Sequence, residues 1–259
     1  MKMNSMKDIV TFLTDFGLED SYVAEMKGVL WDLRPQAEIV DITHGIPSFD
    51  KDSGRFQLWR SYRWFPKQTC HVAVVDPGVG GNRRNLFIQT ELGNFLGPDN
   101  GILDWAVEDA EKRSEKPAAI YEIPTPEGIS PTFYGRDVFV PFLAQFLAGH
   151  PFRLNRLESL ERKAFPSPKK MKDSFKTQII HVDKFGNGVL ATSPFEVAEP
   201  TGVFKKKKLG IYSHYQAIPK GKAGLIPGSH GLWEIAAAGA SAQKLLGFKK
   251  GDEVVLQML

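Results

Sequence analysis

A single cysteine, Cys70, among 259 residues removes two kinds of architecture. No internal disulfide framework can form, and no cluster of cysteine ligands can hold a metal. Within the apolar run CHVAVV (Cys70–Val75) the thiol reads as a small buried hydrophobe. No stretch approaches the roughly 18 consecutive apolar residues that a membrane-spanning helix needs. The start, MKMNSMKDIVTFLTDFG, lacks the apolar core and small-residue cleavage site of a secretory leader. The expectation is a cytoplasmic protein with no membrane partner. Charge of one sign is also missing: 33 basic against 30 acidic residues leave a net charge of +3, too balanced to argue for nucleic acid. The one basic run, Lys205–Lys208, suits a solvated edge or turn. No glycine run ends in Gly-Lys-Ser/Thr, Gly78-Val79-Gly80 lacks the third glycine of a dinucleotide fingerprint, and no Gly-x-Ser-x-Gly elbow occurs. The histidines never recur at metal-ligand spacing with carboxylates, so no metal site is expected.

What remains is patterned for a folded enzyme-sized chain, long enough to bury a sizeable core. Ile9–Leu13, Glu38–Ile42 and Cys70–Val75 read as strands, with helical spacing over Ser21–Leu33 and again over Asp52–Tyr62 between them. Strands alternating with helices imply a mostly parallel sheet flanked by helices. Leu86–Thr90 and Asn94–Leu96 read as a hairpin, Ile120–Ile123 as a short strand, and Val138–Ala148 as an apolar helix. From His150 to Ser174 the composition turns to Arg, Lys, Pro and Ser with little periodicity, as in a linker. Beyond it come short strands separated by turn residues, interrupted by a helix-like run at Leu232–Leu246. The expected organisation is an α/β domain over residues 1–165 and an all-β barrel domain over 166–259.

The chemistry gathers at strand ends. Asp76–Arg84, DPGVGGNRR, puts a carboxylate where a strand stops, then a glycine-rich turn, then two arginines. Ligands collect at the carboxyl ends of strands in open α/β sheets, which suits an active-site acid there. Asp15 follows the first strand and could hold the two hydroxyls of a ribose or cap the next helix. Arg136 beside Asp137 suits a structural ion pair at a helix start. Carboxylates, amides and aromatic faces together suit a purine nucleoside: the ring stacks, an amide reads its edge, and an acid holds the sugar.

Seven stretches strengthen this reading: TDFG (Thr14–Gly17), DITHGIPSFD (Asp41–Asp50), VVDPGVGGNRR (Val74–Arg84), GPDNGIL (Gly97–Leu103), TFYGRDVFVP (Thr132–Pro141), DKFGN (Asp183–Asn187) and GSHGLWEIAAAG (Gly228–Gly239). In this order the chain resembles the family of S-adenosylmethionine hydrolases (hydroxide adenosyltransferases) and the related fluorinase and chlorinase. The resemblance implies an N-terminal α/β domain, a C-terminal barrel, and a homotrimer whose active sites lie between one subunit's N-terminal domain and a neighbour's C-terminal domain. It puts Asp15 on the ribose hydroxyls, Phe49 and Phe133 near the sugar and sulfonium, Phe185 beside the adenine and Asn187 on its edge. Asp183 and Ser229 would hold the methionine amine and carboxylate, and the backbone around Ala238 would meet the adenine. Asp76 and Arg83 match two members of the hydrolase Asp–Arg–His triad. Tyr134 stands where hydrolases carry histidine. Halogenase members have tyrosine followed by serine there, where this chain has Gly135, and they replace the DPGVG loop.

The implied reaction is attack of water at C5′ of S-adenosylmethionine, giving adenosine and L-methionine. No cofactor or metal is implied, and the partner is the small-molecule substrate. Two other classes stay open: a halide-dependent transferase, and a non-catalytic binder of adenosine or S-adenosylmethionine.

Overall fold

A computed structural model describes residues 8–197 and 200–258; the first seven residues, which bear on the leader expectation, lie outside that range. The chain forms two compact units, one ending at Lys163 and the other beginning at Ala164.

The first unit is a seven-stranded sheet between two helical layers. Its strands are β1 (Ile9–Thr14), β2 (Glu38–Thr43), β3 (Cys70–Val74), β4 (Asn85–Gln89), β5 (Asn94–Pro98), β6 (Ala119–Glu122) and β7 (Asn155–Leu157), in the order β2-β1-β3-β5-β4-β6-β7. Successive residues on β1 and β3 point to opposite faces and so build two cores. Phe12, Val72 and Val74 pack with Met26 and Leu30 of α1 (Tyr22–Leu33) and with Leu143 of α4 (Val140–Leu147). Leu13, Ala73 and Val75 pack with Leu58 of α2 (Lys51–Ser61) and Val107 of α3 (Asp104–Ser114). The helix before α4 opens with a π-turn, Gly135–Phe139.

The sheet departs from the sequence expectation in one respect. The pairs β1–β2, β1–β3 and β3–β5 are parallel, whereas β4–β5, β4–β6 and β6–β7 are antiparallel. Strands β1, β2, β3, β5 and β6 run one way, whereas β4, the first strand of the hairpin, and β7, at the sheet's edge, run against them.

The linker expectation over His150–Ser174 fails for its first half. Asn155–Leu157 joins the sheet, and Leu160 is buried in the second core. Two acids of the preceding helix region receive the backbone beyond: Asp99 accepts the Glu161 amide at 2.6 Å, and Asp104 accepts the Lys163 amide at 2.7 Å. A polar segment without periodicity is thus ordered through its backbone groups, which composition does not reveal.

The second unit is an antiparallel sheet rolled toward a barrel. Its strands are β8 (Lys169–Lys170), β9 (Ser174–Val182), β10 (Gly188–Leu190), β11 (Thr201–Phe204), β12 (Lys207–Leu209), β13 (Ala223–Pro227), β14 (Trp233–Ala237) and β15 (Glu253–Gln257), in the order β12-β11-β15-β9-β10-β14-β13 with β8 beside β9. A bridge between Ile211 and Leu225 brings the two ends of this path together. Of the Lys205–Lys208 run, Lys205 and Lys206 form the turn between β11 and β12, and Lys207 and Lys208 are exposed on β12. The expected helix over Leu232–Leu246 is corrected. Trp233–Ala237 pairs as a strand with β13, sending Trp233, Ile235 and Ala237 into the core and Ala236 to the other side. Helix α5 (Ala242–Leu246) starts only after Ser241, whose hydroxyl caps it by accepting the Lys244 amide at 3.1 Å. Alanines mask a period-two pattern that pairing makes decisive.

Candidate active site

The carboxyl ends of β1 and β3 are neighbours, with Thr14 paired to Val74, so the residues just beyond them share one rim. Asp15, Phe49, Asp76, Phe133 and Tyr134 all line a single cavity of about 350 Å³ there, within the usual size range of a small-molecule site.

Asp76 is organised by its own loop. Its side chain is 4% exposed, and Oδ2 accepts Arg83 Nε at 2.8 Å and Arg83 Nη2 as well. Oδ1 accepts the Gly78 amide at 3.2 Å. Gly80 permits the return of the chain: its φ is +76°, and a Cβ there would lie 2.6 Å from the Pro131 carbonyl oxygen. Arg83 is braced from two further sides. Its Nη1 donates to Asn85 Oδ1, while Asn85 Nδ2 donates to Thr125 Oγ1 at 3.0 Å. Its guanidinium lies 4.8 Å from the centre of the Tyr134 ring, a cation–π geometry. Arg84 turns elsewhere, donating from Nε to Asp99 Oδ2 at 2.7 Å. Of the two adjacent arginines, Arg83 is the one at the cavity's acid.

Asp15 is not a helix cap: the residue before α1 is Ser21, and Asp15 Oδ2 accepts the Phe49 amide at 2.8 Å. Phe49 holds a φ of +68°, an uncommon conformation for a non-glycine residue, and is 70% exposed. Strain of this kind concentrates at ligand sites. The loop carrying Asp15 is tied to the end of β2, where Thr14 Oγ1 lies 2.8 Å from His44 Nδ1 and Gly17 donates its amide to the His44 carbonyl at 2.9 Å. His44 Nε2 in turn lies 3.1 Å from Asp41 Oδ1. Burial alone would raise the Asp41 carboxyl, but its bonds to Lys27 and His44 outweigh burial and hold it below the usual carboxylate range.

Phe133 closes an aromatic wall with Tyr22 at 5.2 Å and Phe16 at 5.7 Å between ring centres, both edge-on. Phe16 and Tyr22 also line the cavity. The sequence reading missed them because one sits inside a turn motif and the other opens a helix. Arg136 pairs with Asp137 and with Glu25, as a structural ion pair should. Its guanidinium also covers Phe133 at 5.0 Å.

In the second unit, Phe185 and Asn187 line a cavity of about 460 Å³ with Tyr215, Ala237, Gly239 and Ala240. Asp183 holds the turn that presents them: Oδ1 accepts the amides of Phe185 at 2.9 Å and Asn187 at 2.8 Å, and Oδ2 accepts Asn187 Nδ2 at 3.0 Å. The Asn187 backbone carbonyl accepts the Asp183 amide at 3.0 Å, which leaves the side-chain Oδ1 for another partner. Ala238 packs against the small cluster of Ile218, Ile226 and Ala236, while its neighbours Ala237 and Gly239 face the cavity. Ser229 is exposed on the loop between β13 and β14. Tyr215 is a lining residue that no sequence motif announced. It sits on a three-residue turn, Tyr215–Ala217, between strands.

Among the described residues no group of three or more His, Cys, Asp or Glu side chains is arranged to hold a metal ion, and no helix is long and apolar enough to cross a membrane.

The sequence profile of the SAM hydroxide adenosyltransferase N-terminal domain matches residues 10–155, and that of the corresponding C-terminal domain matches residues 177–255. An (R)-S-adenosyl-L-methionine hydrolase from Salinispora arenicola is 33% identical over 255 residues, covering 95% of this chain and 96% of the relative. A fluorinase from Nocardia brasiliensis is 25% identical over 175 residues, covering 57% of each. The crystal structure of an uncharacterised conserved protein from Thermotoga maritima superposes with a TM-score of 0.86 at 30% identity, over 96% of this chain and 99% of that one.

Proposed function

This chain belongs to the SAM hydroxide adenosyltransferase family, and from that premise we propose that it hydrolyses S-adenosyl-L-methionine to adenosine and L-methionine. Water oxygen bonds to C5′ as the C5′–S bond breaks; the bonding pair stays on sulfur, which leaves as a neutral thioether, and one proton is released. The electrophile carries its own leaving group, so the protein mainly has to place water about 3–3.5 Å from C5′, opposite sulfur. The observation that carries this reading is the Asp76–Arg83 pair at the cavity wall, with Tyr134 against the guanidinium.

In this reading Asp76 accepts a hydrogen bond from the water and stabilises the charge that develops as its proton leaves. Arg83 fixes the carboxylate's direction. Tyr134 fixes the guanidinium from its ring face and presents a hydroxyl where histidine stands in the hydrolase pattern. Phenol is a poor proton acceptor at neutral pH, so Tyr134 orients and does not act as base. Asp15 holds the ribose through Oδ1, since Oδ2 is taken by Phe49. The aromatic wall of Phe133, Tyr22 and Phe16 suits the sulfonium cation. The name of the hydrolase relative specifies the (R) sulfonium epimer, and we extend the proposal to that epimer. The base pocket is that of Phe185 and Asn187, with Asp183 and Ser229 toward the amino acid. It is contributed by a neighbouring copy in a homotrimer, so that each site draws on two chains. No cofactor enters the chemistry.

Halide transfer fits less well. A carboxylate at Asp76 repels an anion. Replacing Gly135 by serine would put a Cβ 3.0 Å from Met26 Sδ and 3.3 Å from the Phe133 ring. The test is chromatography of products from resolved (R) and (S) substrate in chloride buffer. Adenosine is expected from the wild type, with a loss of about 10²–10⁴-fold in Asp76→Asn and of about tenfold or less in Tyr134→Phe, which keeps the ring. Stoichiometric binding without adenosine above the enzyme-free rate would overturn hydrolysis in favour of a binder. Formation of 5′-chloro-5′-deoxyadenosine would overturn it in favour of halogenation.

A further inference from the structure

Glu234 is a buried carboxylate that the reaction just described does not use. It lies on β14 and is 5% exposed. Oε1 accepts the Tyr215 hydroxyl at 2.7 Å, and Oε2 lies 3.2 Å from His230 Nε2. His230 is buried too, and its Nδ1 accepts the Leu232 amide at 3.2 Å. That bond leaves the ring proton on Nε2, which donates to Glu234. One carboxylate therefore ties together three segments: strand β14, the loop Gly228–Leu232, and the turn that carries Tyr215.

A carboxylate out of water is costly unless its oxygens are hydrogen-bonded, and here both have partners. The consequence lies in the cavity of Phe185 and Asn187, which Tyr215 also lines. Tyr215 is 46% exposed, on a three-residue turn with no buried member. A ring on such a turn would have to be ordered at the moment of binding, at a cost in affinity. A hydroxyl anchored to a strand removes much of that cost in advance.

We propose that Glu234 is a positioning residue for nucleobase recognition, holding the Tyr215 ring as a preset wall of the pocket through the Tyr215 hydroxyl. This rests on the reading of that pocket as the adenine site. Glu234 does not touch the base; it acts through Tyr215.

The experiment is calorimetric titration of the full-length protein with adenosine, for wild type, Y215F, Y215A, E234Q, E234A and the double variant E234A/Y215A, with thermal melts of each. Y215A and E234A are each expected to raise the dissociation constant about tenfold, the scale of one base-stacking ring. The double variant should bind no worse than Y215A, because the bond that E234A removes is already absent in that background. E234Q should stay within about threefold of wild type, because a carboxamide can accept from His230 and donate to the Tyr215 oxygen. Y215F keeps the ring but not the anchor and should weaken binding measurably, which carries the test if E234A does not fold. Wild-type affinity in Y215F, or an E234A effect undiminished in the Y215A background, overturns the proposal alone. Failure of the wild type to bind adenosine overturns the adenine reading of the pocket, and this inference with it.

Discussion

Asp76 and Arg83 meet across seven positions of a glycine-rich loop, and the second arginine, one residue later, reaches a different acid altogether. At this scale a side chain's role is set by what packs around it. Tyr134 shows this well: its ring face lies 4.8 Å from the Arg83 guanidinium, so the side chain braces the arginine through its ring and not only through its hydroxyl. His71 shows the same dependence without touching the site. It is fully buried, stacked on Phe95 at 5.2 Å, with Nδ1 2.8 Å from Thr11 Oγ1. Burial pushes its imidazole down from 6.5 to about 3. Below the unfolded value the unfolded chain takes up a proton that the native protein refuses. Stability is therefore intact above about pH 6.5 and falls toward pH 3 by up to about 1.4 kcal/mol per pH unit from this group. Urea titrations at stepped pH check this, with His71→Gln expected to flatten that part of the slope; an unchanged slope would assign the proton uptake elsewhere.

The elements that matter most are turns. The loop from Asp76 to Arg84 closes only because Gly80 takes a left-handed conformation against Pro131. Gly80→Ala is expected to cost about 1–3 kcal/mol in strain and clash and to displace Val79 and Gly78 from the cavity and its acid. Gly128→Ala is the control, since Gly128 has the same φ of +76° with nothing within 4 Å of the added carbon. Unfolding free energies and turnover should both fall for Gly80→Ala, whereas Gly128→Ala should lose stability only. Equal turnover in the two variants would mean that the loop need not be held this closely. Phe49 adds the converse case, a non-glycine residue held at positive φ so that its amide meets Asp15.

For the whole molecule, two units each carry a cavity lined by residues that one substrate would need. The homotrimer proposal assigns the two halves of a site to different copies, which gives it a sharp test. Asp76→Ala and Asn187→Ala chains should each be inactive alone. Coexpressed at equal levels, they should recover about a quarter of wild-type activity, because a quarter of the pairings join two intact halves in a closed ring. No recovery, or a monomer in sedimentation, would remove the shared-site proposal and leave the chemistry of each half to be tested in one chain.

Much of this was legible in the amino-acid order. Short apolar runs at Ile9–Leu13 and Cys70–Val75 announced strands, and the motif DPGVGGNRR placed an acid at a strand end, because local sterics and burial act through the nearest residues. Motif order also carried the family, whose profiles match most of the chain. Other features are long-range, and no local pattern encodes them. That β6 pairs with β4 and β7 with β6, so that β7 runs against most of the sheet, depends on which strands meet in space. The polar stretch near Lys163 was ordered by Asp99 and Asp104 through its backbone. Trp233–Ala237 became a strand because β13 was there to pair with it. Tyr215 became a wall of the pocket because Glu234, nineteen positions away, holds its hydroxyl. Sequence determined which groups exist and which local shapes they favour; only tertiary packing decided which of them face one another, since hydrogen bonds and burial reward proximity in space whatever the separation along the chain.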